Sequence, residues 1–322
     1  MKSEAITNMN GFAENGALSN THWELGRIVT DLRSARTRSR QGCIDKGDRE
    51  MPSRDALRGI MDGFFGVIFP DQFGAPDLTE ESIDYFVGTR LDQTLRALKV
   101  QIERELEFSC NAEEDHTVKH ATKAQQVTRD FAAKLPQIAA MLESDVRAGF
   151  EGDPAAKSID EVRFCYPGVL AITHHRIGHE LYSMGFTLLA RIIAELAHSA
   201  TGIDIHPGAT IGPSFFIDHG TGVVIGETAV IGERVRLYQA VTLGAKSFPA
   251  REDGTLVKGR ARHPIVEDDV VIYAGATILG RVAIGRGSTI GGNVWITRDI
   301  PPGSRIAQAQ ARVEAFSDGG GI

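Results

Sequence analysis

Between Ile205 and Val241 a small or aliphatic residue returns at every sixth position: Ile205, Ile211, Ile217, Val223, Ala229, Val235 and Val241. A second series, Ile225, Ile231, Leu237 and Leu243, runs two places further on. After a gap the step resumes with Val266, Ile272, Ile278, Ile284, Ile290 and Ile296, accompanied by Val270, Ala276, Val282, Ser288 and Val294. A helix cannot keep a period of six on one face, and an alternating strand has period two. Such an array implies short strands and tight corners wound into a parallel β-helix. Each inward aliphatic then stacks on its equivalent one coil away, at about 4.8 Å. Three hexads, or eighteen residues, are expected to make one coil.

The two runs are 23 residues apart from Leu243 to Val266, which is not a multiple of six. The intervening "AKSFPAREDGTLVKGRAR", residues 245–262, is polar and basic and has no repeat. It is expected to leave the prism as an exposed loop, either as a tolerated insertion or as a flap over a site.

Residues 21–200 read differently. "ESIDYFVGTRLDQTLRALKVQIERELEF" and "TKAQQVTRDFAAKLPQIAAMLESDVRAGF" place apolar residues at three- and four-residue steps, predicting a helical domain suited to oligomerisation. Asp77 with Glu80, and Ser158 with Glu161, have the spacing of capping boxes at helix starts. Residues 1–20 are expected to be a mobile, polar lead-in without an apolar signal core. The fold class is therefore α+β, with a helical domain ahead of a β-helix over 201–305 and a tail over 306–322.

The net charge of −7 argues against a general nucleic-acid binder. No apolar run approaches the roughly 18 residues of a membrane span. Three scattered cysteines, Cys43, Cys110 and Cys165, suit a reducing cytoplasm better than a disulfide scaffold or a metal site. Cys165 reads as a small buried apolar residue.

Within the hexads, "SFFIDHGTGVVIGETAVIG" sets Asp218 and His219 after Ile217, where the rule favours a glycine. A corner histidine can be a solvent-facing filler, or it can be a base. Together with "GIDIHPGATIG", "YQAVTLGAKSF", "RHPIVEDDVVIYAGATILG", "GDPAAKSIDEV" and "HHRIGHELY", this stretch resembles the serine O-acetyltransferase family of hexapeptide-repeat acyltransferases. The resemblance spans about residues 140–300 and implies a left-handed β-helix. It also implies acetyl transfer from acetyl-CoA to the L-serine hydroxyl, the first step of cysteine biosynthesis.

The resemblance further implies roles for individual residues. A serine hydroxyl is a poor nucleophile near neutral pH and needs a base as it attacks the thioester. His219 matches the family's general base, and Asp204, fifteen residues earlier, matches the carboxylate that orients it. Asp153 and Asp218 match acids that contact serine, and two carboxylates beside an ammonium make electrostatic sense. Arg262 and His263 match residues facing the substrate carboxylate, for which a guanidinium is a natural fork. His206 reads as structural, and His174, His175 and His179 as packing groups. Acetyl-CoA in this family lies in the groove between the β-helices of a trimer, which makes Gly244, Ala245, Lys246, Ala274 and Gly275 its candidate contacts. No resident cofactor or metal is implied. One departure is "PPGSRIAQAQARV", where Gln308 and Gln310 replace a Gly-x-Pro-Ala turn common near CoA.

The chain ends "SDGGGI". Family members commonly insert a terminal isoleucine into O-acetylserine sulfhydrylase (cysteine synthase), which makes Ile322 a candidate partner contact; the bland alternative is a frayed end. Feedback inhibition by L-cysteine and a trimer or hexamer are further family expectations. Three rival readings stay open on the residues. One is an acyltransferase for another acceptor such as a sugar amine. Another is a zinc enzyme using His206, His219 and His263, although their spacing does not match the carbonic-anhydrase type. The third is a silent scaffold for the tail.

Overall fold

The computed structural model describes residues 23–40, 50–109, 117–247 and 251–309. The chain divides into two units, Met1–Gly47 and Asp48–Ile322. The described part of the first is Trp23 and Glu24 leading into helix α1, Leu25–Arg40, on which Leu25, Ile28, Val29 and Leu32 form an exposed apolar row.

The second unit begins with helices α2 (Arg54–Ile68), α3 (Pro70–Phe73), α4 (Ile83–Ser109) and α5 (Thr117–Gly152). Helices α6 (Ile159–Cys165), α7 (Pro167–Ser183) and α8 (Thr187–Thr201) follow. Leu57, Ile60, Met61, Phe64 and Phe65 are buried along α2 at the three- and four-residue steps of an amphipathic helix. Phe64 meets Phe131 of α5 with ring centroids 5.5 Å apart. The Ser53 hydroxyl accepts the Ala56 N–H and caps α2. The buried Glu105 carboxylate accepts the Leu188 and Leu189 N–H groups at 3.0 and 2.8 Å, tying α4 to the start of α8.

Ser158 caps α6 by accepting the Glu161 N–H, while the Glu161 carboxylate accepts the N–H of Lys157, one residue before the cap. Asp77 and Glu80 do not start a helix. Pro76 and Asp77 form a turn with Leu78 N–H donating to Ala75 O, and α4 begins only after Ser82. Cys165 is exposed at the end of α6 rather than buried.

After α8 the chain winds into a three-sided parallel β-helix. One sheet stacks β1 (Asp204–Ile205), β4 (Val224–Ile225), β7 (Thr242–Gly244), β10 (Thr277–Leu279) and β13 (Trp295–Ile296). The second stacks β2 (Thr210–Ile211), β5 (Val230–Ile231), β8 (Ile265–Val266) and β11 (Ala283–Ile284). The third stacks β3 (Phe216–Ile217), β6 (Arg236–Leu237), β9 (Val271–Ile272), β12 (Thr289–Ile290) and β14 (Arg305–Ile306). Ile225, Leu243, Ile278 and Ile296 form one buried column. Each fully buried aliphatic contributes about 1.5–3 kcal/mol.

The coils differ in length. Ile225 pairs with Leu243 and Ile278 with Ile296, eighteen residues apart, as the hexads require. Ile205 pairs with Ile225 and Ile217 with Leu237, which makes the first coil twenty residues. The two extra residues lie in the corner between Ile217 and Val224. Leu243 pairs with Ile278 across 35 residues, because the inserted loop interrupts that coil.

A buried clamp joins helices to prism. Arg176 of α7 donates to both oxygens of Asp145 of α5, at 2.6 and 2.7 Å, with side chains 4% and 1% exposed. Arg176 also donates to Ile211 O and Gly212 O, and Asp145 accepts the Phe215 N–H. The clamp holds the C-terminal part of α5 beside the first coil.

Candidate active site

The corner after β3 carries the first cluster. His219 adopts a left-handed backbone with φ +58°, and Gly220 follows at +87°. A Cβ at Gly220 would collide with the Ile203 side chain, so glycine lets this corner close against the residue that leads into Asp204. The His219 side chain is 70% exposed, and its Nδ1 lies 3.7 Å from Asp218 Oδ1. No hydrogen bond joins His219 to Asp204 among the described residues of the single chain. The end of α5 brings Asp153 to the same corner. Its Oδ2 accepts the Tyr166 hydroxyl at 2.5 Å, and its Oδ1 accepts the Ala155 N–H at 2.8 Å. The Tyr166 hydrogen bond, then the Ala155 bond, and then the charges of His219 and Arg236 hold the Asp153 carboxyl below its ordinary range.

The corner after β4 carries the second cluster. Arg262 Nη2 donates to Glu227 Oε2 at 2.7 Å, and the Tyr182 hydroxyl donates to Glu227 Oε1 at 3.1 Å. His263 is buried, and its Nδ1 accepts the Thr228 N–H at 3.0 Å. That bond places the ring proton on Nε2. Burial, followed by the Arg262 charge, lowers the His263 pKa to about 4, so the ring is neutral near pH 7. His206 accepts the Gly208 N–H at Nδ1 and meets Tyr182 edge-on. His174 Nδ1–H donates to Leu170 O, and His179 Nδ1–H donates to Pro207 O.

The sequence-derived candidates thus fall on two different corners of one prism. Asp153, Asp218 and His219 share the first, as do Ala274 and Gly275 after β9. Arg262 and His263 share the second, as do Gly244, Ala245 and Lys246 at the end of β7. Lys246, Lys258, Arg260, Arg262 and Arg281 line a cavity of about 550 Å³ beneath the inserted loop. Gln308 donates to Asn293 O at 2.8 Å. Ile322 and Gln310 lie outside the described residues. Among the described residues no set of three His, Cys, Asp or Glu side chains is arranged to hold a metal ion.

Residues 263–298 match the family model described as bacterial transferase hexapeptide (six repeats). Over 304 residues the chain is 56% identical to the plasmid serine acetyltransferase of Synechococcus elongatus, covering 93% of this chain and 95% of that protein. The chain belongs to the serine acetyltransferase family. Its β-helix is accordingly of the left-handed kind. Among solved structures of serine acetyltransferases, Entamoeba histolytica serine acetyltransferase 1 in complex with L-cysteine is 38% identical. It superposes with a TM-score of 0.67 over 78% of this chain and 86% of that one. The Neisseria gonorrhoeae serine acetyltransferase in complex with serine is 26% identical, with a TM-score of 0.51 over 80% of this chain and 97% of that one.

Sequence reasoning about serine acetyltransferase motifs missed four participants in these clusters: Tyr166, Tyr182, Glu227 and Arg236. Glu227 was open to discovery, because it is the one carboxylate in "GETAVIG" and a guanidinium nearby needs a partner. Tyr166 carried no signal beyond its place in "CYPG".

Proposed function

We propose that this chain transfers the acetyl group of acetyl-CoA to the hydroxyl of L-serine, giving O-acetyl-L-serine and CoA, with His219 as general base. The serine oxygen attacks the thioester carbonyl while its proton passes to the imidazole. Collapse of the tetrahedral adduct breaks the C–S bond, and the departing thiolate takes the proton back from the imidazolium. No covalent acyl-enzyme is needed. Asp204 is the carboxylate that orients the imidazole and steadies its positive form. A positioned base of this kind contributes on the order of 10² to 10⁴ in rate.

The observation that carries the reading is the meeting of Asp153, Asp218 and His219 at one exposed corner. The two acids suit the substrate ammonium beside a solvent-accessible imidazole. Arg262, held in place by Glu227, suits the substrate carboxylate, with neutral His263 beside it. Because the two clusters occupy different corners, a complete site is assembled where the first corner of one copy meets the second corner of its neighbour. A cyclic trimer provides three such seams, and the helical domain joins trimers into hexamers. Acetyl-CoA lies along the seam, its arm beside Gly244, Ala245, Ala274 and Gly275 and its phosphates toward Lys246 and the basic cavity.

L-Cysteine shares the ammonium and carboxylate of serine and competes for the same charges. The L-cysteine and serine complexes of the two structural relatives support that overlap. The exposed thiol of Cys165 suits a reducing cytoplasm. Ile322 is the contact for cysteine synthase; loss of co-purification on deleting Ile322 supports it, and unchanged affinity removes it. The activity itself is tested by thiol release from acetyl-CoA with and without L-serine. Release must depend on serine and fall at least about 10²-fold in His219→Ala; serine-independent release, or an unaffected variant, overturns the reading.

A further inference from the structure

Tyr166 stands at the junction of α6 and α7, where one residue closes the first helix and opens the second. Its N–H donates to Val162 O, and its carbonyl accepts the Val169 N–H at 3.1 Å. The backbone is therefore fixed from both sides. The ring stacks on Phe216, with centroids 6.4 Å apart and planes 29° apart. Phe216 opens β3, two residues before Asp218. The Arg236 guanidinium also lies over the Phe216 ring, 5.6 Å from its centre. At its far end the Tyr166 hydroxyl meets Asp153 Oδ2.

Asp153 belongs to the helical domain and Asp218 to the β-helix. Tyr166 packs on the strand that carries one acid and hydrogen-bonds the other. Burial, together with the adjoining Asp153 carboxylate, raises the phenol pKa far above its usual range, so the hydroxyl remains a donor. Each Asp153 oxygen has one donor, from Tyr166 or Ala155, and keeps a further lone pair for an ammonium.

We propose that Tyr166 is a positioning residue for the acceptor substrate: it aims the Asp153 carboxylate so that Asp153 and Asp218 close on the same ammonium group. The inference rests on the acyltransferase reading above, in which these acids receive the α-amino group of serine. Tyr166 touches neither the thioester nor the base. Its effect is confined to acceptor binding.

The test is steady-state kinetics of Tyr166→Phe in the full-length protein, with each substrate varied in turn. The ring and its stack on Phe216 stay, and only the hydroxyl leaves. Serine KM rises about tenfold, in line with loss of one charge-assisted hydrogen bond, while acetyl-CoA KM and kcat stay within about threefold. In an Asp153→Asn background the same substitution raises serine KM no further, since the two residues act through one contact. An unchanged serine KM, a parallel rise in both KM values, or a full second increment in the Asp153→Asn background overturns the proposal. So does loss of the folded state in Tyr166→Phe by circular dichroism, because a hydroxyl that only aims Asp153 is not needed for the fold. The wild-type and His219→Ala assays report separately on the parent reading: failure there appears without any substitution at Tyr166.

Discussion

The imidazole of His263 packs so close against Gly226 that a Cβ at position 226 would collide with its Cδ2 and Nε2 atoms. The glycine is a matter of space, not of backbone angle. Gly226→Ala forces the ring off its bond to Thr228, at a cost of about 1–3 kcal/mol in stability. Serine kcat/KM falls about tenfold or more, because Arg262 immediately precedes His263 and the Thr228 hydroxyl accepts the backbone N–H of both. Urea unfolding and serine kinetics on the same preparation check both effects.

The depressed pKa of His263 makes a statement about acid stability. Its folded value is about 4 against an unfolded value near 6.5. The unfolded chain therefore binds the proton more readily. The stabilisation is fully present above about pH 6.5 and is lost as pH falls toward 4, amounting to roughly 2–3 kcal/mol. Burial also lowers the pKa values of His174, His175 and His206, so the wild type loses more than this one group explains. The difference in unfolding free energy between wild type and His263→Gln isolates the share of His263. That difference shrinks by the stated amount from pH 7 to pH 4.

The Asp145–Arg176 clamp is buried, bidentate and bonded on both sides. Removing one partner strands the other charge, so Asp145→Asn and Arg176→Met each cost about 3–5 kcal/mol. The double variant costs less than the sum, because no lone charge remains. Equilibrium urea unfolding of the single and double variants measures the coupling.

The β-helix was legible because its buried positions demand aliphatics: Ile225, Ile231, Leu237 and Leu243 face the interior and admit little else. The twenty-residue first coil was not. Val223 falls six residues after Ile217, where a six-residue count continues its column, yet it belongs to the companion column with Ile203, whose relation to it is the same twenty-residue step. Two extra residues in the Asp218–His219 corner are invisible to a six-residue count because both columns accept aliphatics. The site was legible only as far as local motifs reached. "DHGTG" and "RHP" flag their residues, but nothing in a linear text says that one follows the third face and the other the first. Glu227 and Tyr166 act through contacts 35 and 13 residues away along the chain. The first pairing appears only when the coils are stacked, and the second only when the end of α5 folds back on the α6–α7 junction. The exposure of Cys165 was missed because a short helix end has too few turns to show which face is wet.

The central claim is that catalysis needs the His219 corner of one copy and the Arg262 corner of another. Co-expressing His219→Ala with Arg262→Ala tests it most directly. Each variant alone is nearly inactive. In mixed oligomers a seam is intact when His219 comes from one variant and Arg262 from the other, which random assembly gives in about a quarter of seams. The account predicts recovery of about a quarter of wild-type serine-dependent thiol release. Activity no higher than the separate variants, in oligomers shown by mass spectrometry to be mixed, would contradict it.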